Sequence, residues 1–137
     1  MMKEWMWPTF GAFLVWGFWG FLPKLTTRYI DPKSAIVYEV FGAMLLGAIA
    51  LFQLDFQLDV NVKGIALALT TGMLGFMGAF FFLSAVSKGS VTFVVALSAL
   101  YPIVSIFLAT VVLHETVTLR QGAGILLALV SVVLVVV

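Results

Sequence analysis

Glu39 is the acid whose surroundings in this sequence are least suited to a charge. It lies eight residues after Asp31, inside the otherwise uncharged run Ser34–Leu54, and therefore about 12 Å along a helix from that aspartate. If the run crosses a membrane, a carboxylate at this depth is costly and is a candidate proton site or counter-charge for a cationic substrate. The alternative is structural: Glu39 reaches the interface or pairs with Lys24 or Arg28.

A proline with three hydroxyl-bearing neighbours forms the second candidate site. Ser98, Tyr101 and Ser105 stand at positions i, i+3 and i+7 around Pro102, so they share roughly one face of a continuous helix. A mid-helix proline removes one backbone hydrogen bond and leaves the Ser98 carbonyl without its helical partner. Within a membrane, such a carbonyl is tolerated against another helix or a watery cavity. The face therefore either lines a substrate path or shapes the packing of the helices.

The residue counts leave little room for catalytic or metal chemistry. The chain has no cysteine and one histidine, which excludes disulfides, Cys-ligated zinc and thiol catalysis, and a histidine-based metal site would need several protomers. His114-Glu115 lacks the serine or aspartate partners of a catalytic set. A net charge of +1 gives no field for binding nucleic acid. We therefore expect no enzyme, no cofactor, no metal and no nucleic-acid partner.

The overall composition decides which class of protein must position these residues. Hydrophobic residues make up 64% of the 137 residues and charged residues 9%, against about 25% charged residues in soluble domains. The charges are scattered along the chain and do not gather in one hydrophilic half. This pattern excludes a soluble globular protein and predicts an integral membrane protein whose partner is the lipid bilayer.

The runs between charged residues are long enough to cross a bilayer, which needs about 20 apolar residues. Asp31-Pro32 supplies an N-cap and a proline at the first helical position, which predicts where the second helix begins. Pro23 is expected to end the first helix. We predict an all-α membrane protein, one domain over residues 1–137, with five transmembrane helices at approximately 5–23, 34–54, 64–87, 89–113 and 118–137.

Small residues recur at helical spacing on three of the predicted helices. Helices in lipid associate by close packing of such residues, because lipid tails are as apolar as the side chains. We expect these positions to pack the helices tightly, with backbone approach to a substrate as the alternative. They are Ala43, Gly47, Gly64, Ala68, Thr71, Gly72, Gly75, Ala79, Gly124 and Ala128.

The basic residues divide almost evenly between the two sides of the membrane. With five spans, three bases lie on the side of the N-terminus and four on the other side, a small imbalance for the positive-inside rule. Taken literally, the excess places the N-terminus outside, but a chain that inserts both ways and forms an antiparallel dimer fits equally well. The first group is Lys3, Lys63 and Arg120, and the second is Lys24, Arg28, Lys33 and Lys88.

A series of motifs, in order along the chain, resembles the EamA-type members of the drug/metabolite transporter superfamily. Trp16-Gly17 followed by Lys24 is similar to the signature that ends the family's first helix. The later stretch resembles the family in an Ala-x3-Gly sequence, a mid-helix proline, a glutamate closing the fourth helix and a sequence similar to Gln-x-x-Gly opening the fifth. The corresponding residues are Ala85, Gly89, Pro102, Glu115, Gln121 and Gly122.

The resemblance implies a single five-helix repeat, which longer relatives carry twice in inverted orientation. It therefore implies an antiparallel homodimer in a prokaryotic plasma (inner) membrane that exports or exchanges a small metabolite, with proton coupling as one option. Many relatives carry a basic residue near position 39, so the resemblance gives no role to Glu39.

From the residues and the resemblance together, we predict alternating access through a cavity between protomers. A non-transporting accessory or packing subunit of another membrane complex is the alternative. The residues expected to bind the substrate are Trp16, Trp19, Glu39, Ser98, Tyr101, Pro102 and Ser105.

Overall fold

Helices make up the regular structure of residues 4–136, the part of the chain that this computed structural model describes. The all-α fold class is confirmed for these residues, and α4 and α5 together take the place of the fourth predicted helix. Lys3 and the last residue of the fifth predicted helix lie outside the described residues. The helices are α1 (Met6–Thr26), α2 (Pro32–Gln53), α3 (Val62–Lys88), α4 (Val91–Ser98), α5 (Tyr101–Val112) and α6 (Leu119–Val136).

Helix α1 continues past Pro23, so the expectation that this proline ends the helix was wrong. A proline gives up its own N–H bond, but the Pro23 carbonyl still accepts the Thr27 N–H at 2.9 Å. The hydroxyl of Thr26 also donates to the Leu22 carbonyl at 3.1 Å. The extra turn keeps Lys24 on the helix.

Asp31 caps α2 as the sequence predicts. One carboxylate oxygen accepts the backbone N–H groups of Lys33 and Ser34 at 2.9 and 3.2 Å, and the other accepts the Ser34 hydroxyl at 2.6 Å. Pro32 follows in the first turn, where its missing N–H has no helical partner to lose. These hydrogen bonds, the one from the Ser34 hydroxyl foremost, hold the pKa of the Asp31 carboxyl below its ordinary value.

The other end of α2 closes with a backbone cap. The Phe56 N–H donates to the Leu51 carbonyl at 3.1 Å and the Asp55 N–H to the Phe52 carbonyl at 3.2 Å, which is the hydrogen-bond pattern of a Schellman motif. Asp55, with φ of 50°, takes the left-handed position that glycine usually fills. The rings of Phe52 and Phe56 meet edge to face at 5.1 Å.

The fourth predicted helix has a tight turn just ahead of Pro102, which divides it into α4 and α5, and the two together form the apolar segment Val91–Val112. Helix α4 ends at Ser98, and the Leu100 N–H then donates to the Leu97 carbonyl at 3.1 Å, which makes a tight turn. Pro102 lies in the first turn of α5, where a backbone N–H has no intrahelical acceptor. The proline therefore begins α5, and the right-handed helical φ and ψ of Ala99 and Leu100 carry the chain from α4 into it.

The helices pack in two units, which divide between Lys88 and Gly89. In the first unit, α3 packs against both α1 and α2. In the second unit, α4 packs against α6. The single domain over residues 1–137 stays a prediction.

The best-packed part of the first unit lies where α1 ends, α2 begins and α3 ends. Leu83 and Val86 of α3 both have 0% of their surface exposed. Because a short turn joins α1 to α2, the apolar side chains of these two helix ends meet the last turns of α3 and exclude water. The buried residues are Pro23, Ala35, Ala79, Phe82, Leu83 and Val86.

Three apolar segments are long enough to cross a membrane: Pro32–Gln53, Val62–Lys88 and Val91–Val112, the last of which contains α4 and α5. The apolar part of α6, Leu119–Val135, is shorter. Helix α1 has 21 residues and is long enough for a ~30 Å bilayer core, but its tryptophans and prolines lower its hydropathy. Large apolar side chains are exposed along these helices, as expected for surfaces that face lipid or another chain.

Among the small residues predicted to pack the helices, Ala79 does so and several glycines do not. A Cβ atom added at Gly47, Gly72, Gly75 or Gly124 would meet nothing within 4 Å outside the helix's own backbone. Ala79 is buried, with 6% of its surface exposed. Within the first unit, the large side chains near the end of α3 are the buried ones, whereas Gly47, Gly72 and Gly75 face open space.

Candidate functional site

Glu39 lies on the less exposed face of α2. Ala35, one turn before it, is buried, and both Glu39 and Ala43, one turn after it, are partly covered, whereas Phe41 and Met44 are 59% and 63% exposed. Residues four apart stand above one another on a helix, and α3 is the helix that packs against α2. The carboxylate therefore borders the side of α2 that is turned toward α3.

Lys24 has a specific partner on another helix. Its Nζ atom donates to the backbone carbonyl of Val86 at 2.6 Å. Val86 is in the last turn of α3, where carbonyl groups have no intrahelical donor and where a positive charge favours the negative end of the helix dipole. Lys24, one of the two bases considered as structural partners of Glu39, is thus bound to the end of α3.

The two tryptophans expected to form aromatic walls differ in their surroundings. The ring centroid of Trp19 lies 5.1 Å from that of Phe82, with a 35° angle between the planes, so Trp19 joins α1 to α3. Trp16, one turn earlier, is 61% exposed, against 38% for Trp19. Trp19 is therefore part of the packed end of the first unit, and Trp16 faces outward from the chain.

The three hydroxyl-bearing residues near Pro102 lie on two helices of the second unit, Ser98 on α4 and Tyr101 and Ser105 on α5. The Ser98 hydroxyl donates to the Val94 carbonyl of its own helix at 2.7 Å, and Ser98, Tyr101 and Ser105 are all exposed. The tight turn at Ala99 and Leu100 lies between Ser98 and the other two residues. That these residues bind a substrate stays a prediction.

Pro102 itself lines a groove of about 320 Å³ beside α6. The α6 residues in this groove include Ile125, Ala128 and Ser131, and none of the three hydroxyl-bearing residues proposed with Pro102 lines it. The groove is mostly apolar, so its walls offer few polar groups to a substrate.

A second cleft, of about 490 Å³, lies between the end of α5 and the beginning of α6. Its polar lining includes Thr110, Glu115 and Gln121. His114 has a left-handed φ of 56°, and the Glu115 N–H then donates to the Ala109 carbonyl at 3.2 Å. This turn directs the chain toward α6 and places Glu115 at the cleft.

Gln121 has a capping role in addition to its place in the family motif. Its Oε1 atom accepts the Thr118 N–H and the Thr118 hydroxyl, both at 2.8 Å, and its own N–H donates to Thr118 Oγ1 at 3.3 Å. These reciprocal bonds form a capping box at the start of α6. The Thr-x-x-Gln spacing in the sequence is the pattern that predicts this capping box.

The proposed substrate-binding residues therefore fall into two groups. Trp16, Trp19 and Glu39 belong to the first unit, and the other four belong to the second. Among residues 4–136, no three His, Asp or Glu side chains are grouped as a metal ion would require.

Comparison with protein families identifies the chain at the level of a family. The model of the EamA-like transporter family matches residues 4–137. The chain belongs to the EamA-like transporter family. The match confirms the resemblance found in the sequence and makes the EamA-like chain an integral membrane protein of a transporter family, not of an enzyme family. Neither a curated protein nor a solved structure matches it.

The motif residues of this EamA-like chain mostly shape the backbone. Lys24 binds the end of α3, and Pro102 starts α5. The Gly122 N–H donates to the Thr118 carbonyl at 2.9 Å in the first turn of α6. The remaining motif residues are Trp16, which is exposed, Gly17, which borders open space, and Glu115, which lines the larger cleft.

Proposed function

We propose that this EamA-like chain is a half-size transporter that works as an antiparallel homodimer. It moves a small metabolite across a prokaryotic plasma membrane by alternating access. The observation that carries the proposal is the family match over residues 4–137. The substrate would bind between protomers, at Trp16, Trp19, Glu39, Ser98, Tyr101, Pro102 and Ser105.

The surfaces of the chain support a second copy as its partner. Gly47, Gly72 and Gly75 face open space, and small residues of this kind let helices of another chain approach closely in lipid. The helices α4 and α5 contain no buried residue. A pair of chains would cover faces that one chain leaves exposed, and inverted pairing of two repeats with a central site is a general plan for transporters.

Glu39 is the residue that we propose as the charge site. It is an acid within the apolar segment Pro32–Gln53, on the side of α2 that is turned toward α3, and such residues in membrane segments commonly carry protons or ions. In the proposed cycle, the carboxylate would hold a proton when the site is empty and release it when a substrate binds, or would pair with a cationic substrate.

Metabolite release from cells tests this proposal. Cells expressing the chain are compared by mass spectrometry with cells expressing the Glu39→Gln variant. The matched control is Asp59→Asn, which removes an exposed acid outside the helices. We expect at least one small metabolite to leave the cells faster with the native chain and with the control than with Glu39→Gln.

Two results would contradict the proposal. If the native chain is present in the membrane and no metabolite leaves these cells faster than cells without the chain, the proposal of transport is wrong. The non-transporting accessory role is then the better explanation. If transport is the same in all three proteins at every external pH, Glu39 is not the charge site.

A further inference from the structure

Four basic residues gather at one end of the first unit. The hydrogen bond from Lys24 to Val86 holds the ends of α1 and α3 side by side, and the buried Ala35 brings the start of α2 to the same packed region. We call this region the basic end. Its bases are Lys24, Arg28, Lys33 and Lys88.

The basic end has an excess of positive charge. Asp31 is the acid in the turn between α1 and α2, and its carboxylate already accepts three hydrogen bonds at the start of α2. Four bases and one acid leave a net charge of three positive. Arg28, Lys33 and Lys88 are exposed, so these three are placed to meet an anion outside the chain.

An exposed apolar stripe lies directly below Lys33 on α2. Val37 and Phe41 follow Lys33 at intervals of four residues, so the three side chains lie on one face of the helix. Val37 is 50% exposed and Phe41 59% exposed. Lys33 thus lies at the level of the lipid headgroups, and the apolar side chains lie at the level of the acyl chains. A phospholipid has its charged part and its hydrocarbon part in the same order.

Lys88 stands above a similar stripe on α3. Phe81, Met77 and Leu74 precede it by seven, eleven and fourteen residues, which is the spacing of one helical face, and their side chains are exposed. Tyr29, in the turn beside Arg28, is also exposed, and tyrosine favours the membrane interface because its ring is apolar and its hydroxyl polar.

We propose that the basic end binds the phosphate of an anionic phospholipid, whose acyl chains lie along the stripes below Lys33 and Lys88. Arg28 matches a phosphate because its guanidinium donates two parallel hydrogen bonds, and the lysines add point charges. A zwitterionic headgroup brings its own cation, which the net positive charge repels. An anionic lipid therefore fits this end better than a zwitterionic lipid with the same chains.

Native mass spectrometry of the detergent-solubilised full chain measures this preference. The protein is titrated with phosphatidylglycerol and, separately, with phosphatidylcholine of identical acyl chains. The test variant is Arg28→Gln/Lys33→Gln. The control is Lys63→Gln/Arg120→Gln, which removes the same charge from residues outside the basic end, and Arg28→Lys/Lys33→Arg keeps the charge in place.

We expect the native chain to bind phosphatidylglycerol more tightly than phosphatidylcholine. Each basic residue near an anionic lipid surface contributes about fivefold to binding. Removing two of them should therefore reduce the preference for phosphatidylglycerol over phosphatidylcholine by about 25-fold. The control and the charge-conserving variant should keep it, and raising the salt concentration should reduce it because salt screens exposed charges. Equal binding of the two lipids by the native chain, or equal losses in the test variant and the control, would overturn the proposal.

Discussion

The ammonium group of Lys24 lies 2.6 Å from the backbone oxygen of Val86 and joins the end of α1 to the last turn of α3. Val86 is fully buried, so this hydrogen bond forms at the edge of a region that excludes water. A carbonyl in the last turn of a helix has no donor within the helix, and the lysine supplies one. The base that ends the first apolar run therefore holds two helices together.

Replacing Lys24 by Met should destabilise the chain. Methionine keeps an unbranched apolar stem of similar length but cannot donate to the Val86 carbonyl. Because hydrogen bonds to charged groups contribute about 1.5–3 kcal/mol, we expect the free energy of unfolding to fall by about that amount. Chemical unfolding in detergent micelles, followed by circular dichroism, measures the change.

The matched control for this change is Lys63→Met, at the opposite, exposed end of α3. An exposed substitution of this kind changes stability by about 0.5 kcal/mol or less. Equal effects of the two substitutions would show that the hydrogen bond to Val86 does not stabilise the fold.

Protonation of Asp31 should weaken the start of α2 in acid. Its pKa is lowered in the folded chain by the hydrogen bonds of the cap, so its contribution to stability is complete above its ordinary pKa of about 3.9. The contribution is lost as the pH falls through the lowered value. We expect the melting temperature to fall over this acidic range in the native chain.

The variant Asp31→Asn separates the charge from the cap. Asparagine is also a favourable N-cap, but it does not titrate, so the Asn variant should lose this part of the acid dependence and keep much of the stability at neutral pH. Asp31→Ala should lower the melting temperature at neutral pH as well. If the melting temperature of Asp31→Asn falls in acid as much as that of the native chain, other carboxyl groups cause the fall.

The features that could be predicted from the sequence depend on neighbours along the chain. The cap formed by Asp31 and Pro32 is a local pattern, and the apolar segments follow from composition. The Thr118 and Gln121 capping box is equally local and could have been predicted from its spacing. These features need no knowledge of which helices meet.

The features that could not be predicted depend on tertiary contacts. No pattern in the sequence pairs Lys24 with Val86, because the two are 62 residues apart. The proline rule predicts a disturbance at Pro102 but not whether the helix bends or divides. The spacing of Ser98, Tyr101 and Ser105 likewise does not predict the turn at Ala99 and Leu100 that lies between the first of them and the other two.

Replacing Pro102 by Ala should join α4 and α5 into one helix. The new N–H at position 102 can donate to the Ser98 carbonyl, which the proline cannot do. A gained backbone hydrogen bond of about 1 kcal/mol slows exchange of an amide by about fivefold, so we expect slower hydrogen exchange around Ala99 and Leu100. Transport should change more than dimer formation.

Hydrogen-exchange mass spectrometry of the peptides around the turn measures this effect. Ile103→Ala is the control, because it changes a side chain in the first turn of α5 and adds no N–H. Unchanged exchange in Pro102→Ala would mean that contacts with α6, which Pro102 approaches in the smaller groove, divide the helix independently of the proline.

Thiol labelling at the two ends of α3 tests whether the chain inserts in both orientations. Val62 and Ser87 stand in the first and last turns of this 27-residue helix, about 40 Å apart along its axis, and both are exposed. The chain has no cysteine, so Val62→Cys and Ser87→Cys each introduce a single thiol and leave the division of the bases unchanged. In intact cells, a membrane-impermeant maleimide should label a fraction of each variant if both orientations occur, because the bases are divided almost evenly. A fixed orientation predicts the opposite pattern, in which one variant is labelled completely and the other only after the cells are opened, and that result would exclude an antiparallel homodimer of this chain.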